Sequence, residues 1–155
     1  TWEGSPPPPL VALAAERTFV DTAYDTVKPW EIDVLGHLSV AFYIHRFSDA
    51  SMQMLARVGM TPAYLREQGM GFSTFELQVK FLRELKAGDR VRTHSTLTHV
   101  GNSSLRILSR MYNVETGDLA AEISQSGVQL NMQTRRPTRI PSALQEQARA
   151  LLGSP

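Results

Sequence analysis

Eight consecutive residues, Asp33-Val34-Leu35-Gly36-His37-Leu38-Ser39-Val40, bring together a carboxylate, a glycine and an imidazole just before a long helical period. A carboxylate can take a proton from water as a general base, or attack a carbonyl as a nucleophile. The first turn of a helix carries N–H groups without intrahelical partners and a partial positive charge. Such donors stabilise the oxyanion that forms when a carbonyl is attacked. The chemistry this patch could perform is therefore acyl transfer to water. The same residues have a plainer reading, with the aspartate as a turn or cap residue and the histidine as a packed, hydrogen-bonded side chain.

Other chemistries find less support. The chain holds no G-x-S-x-G, H-E-x-x-H, Walker or G-x-G-x-x-G motif. It has no cysteine, which excludes disulfides, thiolate zinc sites and cysteine nucleophiles. His37, His45, His94 and His99 are dispersed, so no metal site is expected. Sixteen basic against 15 acidic residues leave a net charge of +1, which argues against a nucleic-acid partner held by many phosphate contacts. No stretch approaches the roughly 20 apolar residues of a membrane span, and no signal peptide opens the chain. The expected compartment is the cytoplasm.

The elements that must position the patch follow from hydrophobic period. Gly4-Ser5 and Pro6–Pro9 mark residues 1–16 as a linker or appendage, leaving 17–155 as one domain. Phe19–Val27 is β-branched and aromatic and reads as a strand ended near Pro29. Val40, Tyr43, Ile44, Phe47, Ala50, Met54, Leu55 and Val58 recur at helical spacing, with Ser39 as N-cap and Gly59 at the C-terminus. Met52, Met54 and Met60 are expected to pack this helix. Thr61-Pro62 opens a short helix that stops at Gly69.

From residue 72 the period becomes two. Phe75, Leu77, Val79 and Phe81 alternate with polar residues, and strands are expected over Val91–Val100, Leu105–Val114 and Leu119–Gln133, joined mainly by tight turns. Consecutive strands so joined pair antiparallel. In the last strand the apolar residues move from odd positions (Leu119, Ala121, Ile123) to even ones (Val128, Leu130, Met132), which predicts a β-bulge between Ser124 and Gly127. Ser142–Leu152 has weak helical character. One apolar-faced helix and one half-apolar sheet must bury those faces against each other, giving an α+β domain with an antiparallel sheet wrapped on one long helix.

Asp33, Gly36, His37 and Leu38, followed by Ala41-Phe42-Tyr43 in the helix, resemble the D-x-x-G-H-[LV] signature of hotdog-fold acyl-CoA thioesterases of the 4-hydroxybenzoyl-CoA thioesterase type. Phe81-Leu82-Arg83-Glu84-Leu85 with Ala87-Gly88-Asp89 resembles that family's second strand and turn, and Thr134-Arg135-Arg136-Pro137 with Ile140-Pro141 its closing segment. The resemblance implies that Asp33 is the catalytic carboxylate, as base or nucleophile. It implies that the Val40 N–H polarises the thioester carbonyl, that Gly36 allows the loop close to substrate, and that His37 orders the loop or orients the substrate. Many relatives carry two Asn where this chain has Ser39 and Val40, so a side-chain amide that could orient water or the acyl group is absent.

The resemblance also implies coenzyme A as part of the substrate with no separate cofactor, basic Arg135 and Arg136 with Arg139 nearby for the nucleotide end, and contacts from Asn102 and Ser103. It implies active sites formed between subunits of a homodimer or homotetramer. Alternative carboxylates are Asp49 on the helix and Glu76 on its strand, each otherwise a solvated or subunit-facing charge. Lys28-Pro29-Trp30 resembles the thioesterase domains fused to carnitine dehydrogenases, which act on betainyl-CoA, and Trp30 with Glu31 could receive a cationic acyl group by cation–π attraction. Trp30 could equally be a packed residue at the strand end. A hotdog hydratase would need a G-D-x-N-P-x-H pattern that Asp33 and His37 do not match. A non-catalytic acyl-CoA-binding module is the reading from a different class.

Overall fold

Tyr43, Phe47, Ala50, Met54, Leu55 and Val58 form the buried face of helix α1 (Val40–Val58), as their spacing requires. Each large apolar side chain taken out of water contributes about 1.5–3 kcal/mol. Met54 and Met60 are fully buried, whereas Met52 stands 46% exposed and packs no core. Gly59 ends the helix at φ 102°, a left-handed conformation that only glycine adopts without steric cost. Thr61 Oγ1 accepts the Tyr64 N–H at 3.1 Å and starts α2 (Pro62–Gln68).

The computed structural model of the protein describes residues 18–153, so the proline-rich segment 1–16 lies outside the described residues. Strands β1 (Val20–Thr26), β2 (Met70–Phe81), β3 (Arg90–Val100), β4 (Ser104–Asn113) and β5 (Leu119–Asn131) form one antiparallel sheet in the order β1-β3-β4-β5-β2. Helix α3 (Ser142–Arg149) follows the closing segment. The sheet wraps around α1, the hotdog arrangement. Two clusters fill the space between helix and sheet, one around Tyr43, Phe47 and Leu85, the other around Met54, Leu97 and Ile140.

Two expectations about the sheet need correction. First, β2 and β3 are consecutive but do not pair. β2 lies against β5, and residues 82–89 carry the chain across the sheet to β3, next to the opposite edge strand β1. That crossing is pinned at both ends. Leu82 and Arg83 N–H both donate to the Ala120 carbonyl, and Gly88 N–H donates to the Val27 carbonyl. Its Leu85 carbonyl accepts the Leu38 N–H and so joins the crossing to the loop that carries Asp33.

Second, the bulge lies on β2, not on β5. Thr74 pairs with Gly127 and Glu76 with Ser126, leaving Phe75 as the extra residue. On its other side β5 pairs with β4 without a break from Ala121 to Val128, with Ile107, Arg106 and Leu105 opposite Gln125, Ser126 and Gly127; the shift on that side falls at Ala120, between the Met111–Ala121 and Tyr112–Leu119 pairs. From Ala121 onward the odd positions Ala121, Ile123, Gly127 and Gln129 are buried on both sides of the expected bulge, with Ser126 buried as well. The apparent switch arises because the last inward positions are a glycine and a glutamine. Gln129 is satisfied internally, accepting from the Tyr64 hydroxyl at 2.9 Å and donating to the Thr138 and Arg139 carbonyls.

Candidate active site

After β1 the chain makes a 3-10 turn (Pro29–Glu31) and then a closed loop. Asp33 N–H donates to the His37 carbonyl at 2.9 Å, and Gly36 N–H to the Asp33 carbonyl at 3.0 Å. The Asp33 carboxylate folds back on this loop, and its Oδ1 accepts the Leu35 N–H at 2.8 Å and the His37 N–H at 3.5 Å. Gly36 sits at φ 85°, so a side chain here would strain the turn. Buried Leu38 anchors the loop, donating its N–H to the Leu85 carbonyl at 2.7 Å. Asp33 thus has the turn role of the plainer reading, and it remains exposed.

Ser39 occupies the N-cap position in extended conformation, but its hydroxyl makes no cap hydrogen bond, contrary to expectation. Its backbone N–H donates to the Glu31 carbonyl at 2.9 Å, which ties the helix start to the 3-10 turn without capping it. The first turn of α1 therefore begins at an exposed Val40 with no side-chain cap from Ser39.

Beside that turn opens a cleft of about 430 Å³, lined by His37, Leu38, Val40, Tyr43, Phe81, Arg83 and Glu84. His37 Nε2 lies 2.9 Å from Glu84 Oε2, and both side chains are partly exposed. The Tyr43 hydroxyl donates to the Arg83 carbonyl at 3.1 Å, and its ring meets Phe81 edge-on at 5.2 Å between centroids. Burial pushes the Tyr43 phenol up to about 12, so it stays a hydrogen-bond donor at neutral pH. Glu84 was missed by reading the sequence. It lies in the crossing segment, and only the tertiary pairing of Leu85 with Leu38 brings it to His37.

Glu31 cannot receive a cationic acyl group, because Arg46 occupies it. Arg46 Nη1 and Nη2 each donate to a Glu31 carboxylate oxygen at 2.8 Å, and the Lys28 N–H adds a bond of 2.7 Å. Arg46 Nε also donates to Asp25 Oδ1 at 3.0 Å. The bonds from Arg46 hold the Glu31 carboxyl below its ordinary value against the opposing effect of burial. Burial works against the Arg46 charge too, but Glu31 and Asp25 raise its pKa overall. Trp30 is 73% exposed and so is not a packed strand-end residue.

The remaining candidates lie elsewhere. Asp49 faces His45 at 3.6 Å, both well exposed, and lines a separate groove with Asp25, Arg46 and Tyr24. Glu76 is exposed on β2, opposite Ser126. The structure does join Asn102 and Ser103 to the closing segment, since the Asn102 carbonyl accepts the Ile140 N–H at 2.8 Å. Exposed Arg135, Arg136 and Arg139 belong to that segment. This group sits at the far end of β5 from Phe81 and Ala121. At about 3.3 Å per residue it is roughly 30 Å from the cleft within one chain.

A family model described as the thioesterase-like superfamily matches residues 27–148, which takes in the loop, the cleft and strands β2 to β5. The chain belongs to that superfamily. It is 33% identical over 101 residues to the betainyl-CoA thioesterase of Pseudomonas aeruginosa, covering 64% of each protein. It is 27% identical over 143 residues to the L-carnitine dehydrogenase/betainyl-CoA thioesterase of Rhizobium meliloti, covering 91% of this chain and 28% of that protein. The chain thus spans less than two thirds of the length of these curated relatives. Among solved structures, the Staphylococcus aureus protein SAV2348 in complex with CoA superposes with a TM-score of 0.80 at 22% identity, covering 88% of this chain and 87% of that one. In this chain the loop carries the Asp33 carboxylate, and Glu84 stands on the cleft wall.

Proposed function

We propose that the protein hydrolyses an acyl-CoA thioester to the free acid and CoA. The observation that carries this reading is the placement of Asp33 in a tight loop that runs directly into the uncapped first turn of α1, beside an open cleft. Asp33 takes a proton from water, and the water oxygen bonds to the thioester carbonyl carbon. The Val40 N–H holds the resulting oxyanion. When the carbonyl re-forms, the C–S bond breaks and CoA leaves as the thiolate. The groups that act are all the chain's own, and CoA enters only as part of the substrate. This reading keeps the protein in the cytoplasm with that substrate.

A homodimer or larger homo-oligomer completes the site. The supporting feature is β2, an edge strand of 12 residues with Phe75 66% and Leu77 45% exposed. Long apolar edges are templates for pairing. A second copy along β2 could deliver its Arg135, Arg136, Asn102 and Ser103 to the CoA end of this cleft, which one chain alone does not do. The acyl group to test first is betainyl, which the curated relatives are named for.

The test is thiol release from a panel of short, long, aromatic and betainyl CoA esters, with wild type and Asp33→Asn side by side. Turnover of one ester, lost in the folded variant, supports the reading. Tight binding without turnover of any ester replaces it with an acyl-CoA-binding module. A second reading has one observation in its favour. Glu84, not Asp33, lines the cleft beside His37. Activity that survives Asp33→Asn and is lost in Glu84→Gln would move the base to Glu84.

A further inference from the structure

We propose that Arg46 is a positioning residue that sets Asp33 against the first turn of α1, an assignment that rests on the thioesterase reading above. Glu31 grips α1 at two points about two helical turns apart. Its carbonyl accepts the N–H of Ser39, the residue before the helix, and its carboxylate takes both terminal nitrogens of Arg46 in the second turn. The first turn, with Val40, is straddled between these points. Asp33 follows Glu31 by two residues, so the grip on Glu31 limits how far the Asp33 carboxylate can drift from the Val40 N–H.

The geometry of the grip is two-pronged and buried. The Arg46 and Glu31 side chains are 5% and 8% exposed. A planar fork meeting a carboxylate through two parallel bonds fixes orientation as well as distance. Arg46 is itself held on its other edges by Asp25 Oδ1 at 3.0 Å and by the Phe42 carbonyl at 3.2 Å. The grip also has an electrostatic role. An unpaired carboxylate buried at a helix N-terminus would oppose an oxyanion forming there, and Arg46 cancels it.

A purely structural ion pair would also be buried, so the test must separate the two. The protein is compared with Glu31→Met/Arg46→Met, which removes both charges together and leaves no buried ion unpaired. Arg46→Lys, which keeps the charge but cannot fork, is the second variant and serves alone if the double variant fails to fold. The readouts are kcat and KM for betainyl-CoA and 4-hydroxybenzoyl-CoA, and hydrogen exchange of the Leu35 and His37 amides, which both donate to Asp33. A misplacement of reacting groups by about 1 Å lowers kcat about 100-fold, with KM nearly unchanged. That result, with faster exchange of the two amides, supports the assignment. Unchanged kcat and unchanged exchange in a folded variant overturn it, as does a change confined to KM. If wild type turns over neither ester, the thioesterase reading fails on these probes. The exchange data then decide the grip alone, faster exchange supporting it and unchanged exchange overturning it.

Discussion

The imidazole of His37 and the carboxylate of Glu84 meet at 2.9 Å on the wall of the cleft, joining the pre-helix loop to the segment that crosses from β2 to β3. A carboxylate acceptor fixes which ring nitrogen carries the proton and which way the ring faces. Glu84→Gln keeps the shape but removes the charge from this bond. Losing the charge-assisted part is worth about 1.4 kcal/mol, or tenfold in kcat, in steady-state thiol release. His37→Ala in the Glu84→Gln background should cost little more than either change alone, because the two act as one unit.

Asp33 has a turn role and a proposed catalytic one, and two substitutions separate them. Asparagine can still accept the Leu35 N–H, so Asp33→Asn should keep thermal stability within about 0.5 kcal/mol while thiol release falls about 10²- to 10⁴-fold. Asp33→Ala loses the turn bond too, and should cost about 1 kcal/mol in addition to activity. Equal melting temperatures for the two variants would show that the carboxylate does not shape the loop.

The Glu31–Arg46 pair makes stability depend on acid. Arg46 holds the folded-state pKa of Glu31 below its ordinary value of 4.5. The unfolded chain therefore binds the proton more tightly, and the pair's contribution is complete above that ordinary value. It is lost as pH falls below 4.5 through the folded value. Denaturant midpoints of wild type should drop across that window more steeply than those of Glu31→Met/Arg46→Met.

The edge strand β2 offers a direct test of assembly. Replacing Phe75 and Leu77 with lysine puts charge on the exposed edge and should shift sedimentation to the mass of one chain. Thiol release should fall with dissociation if the site needs two copies. A double variant that keeps its mass would place the interface elsewhere.

Gly127 lies under the ring of Phe72, so a Cβ there would collide with that ring and come within 3.0 Å of the Ser73 carbonyl. Overpacking of this kind costs about 1–3 kcal/mol. Gly127→Ala should lower the melting temperature, and Phe72→Leu in the same chain should recover part of it.

Much of the fold was legible in one dimension. The α1 face from Tyr43 to Val58 appeared at helical spacing because burying one stripe against a sheet imposes that period. The ends of α1 and α2 at Gly59 and Gly69 appeared because stopping a helix needs particular backbone conformations. The Asp33 loop appeared because its residue types are few and adjacent. The bulge at Phe75 did not, since a shift of parity in β5 looks the same whether a strand bulges or simply places Gly127 and Gln129 inward.

Sequence alone shows which elements form and where the candidate carboxylate stands, because those follow from interactions between residues a few positions apart. It also carried the superfamily, through the Asp33–Leu38 signature. The folded chain alone reveals that β2 pairs with β5, that Glu84 reaches His37, and that Arg46 occupies Glu31 and so denies it to a ligand. Those contacts join residues distant along the chain, and no local spacing encodes them. They are settled by which strand edges and side chains meet once the sheet has closed around the helix.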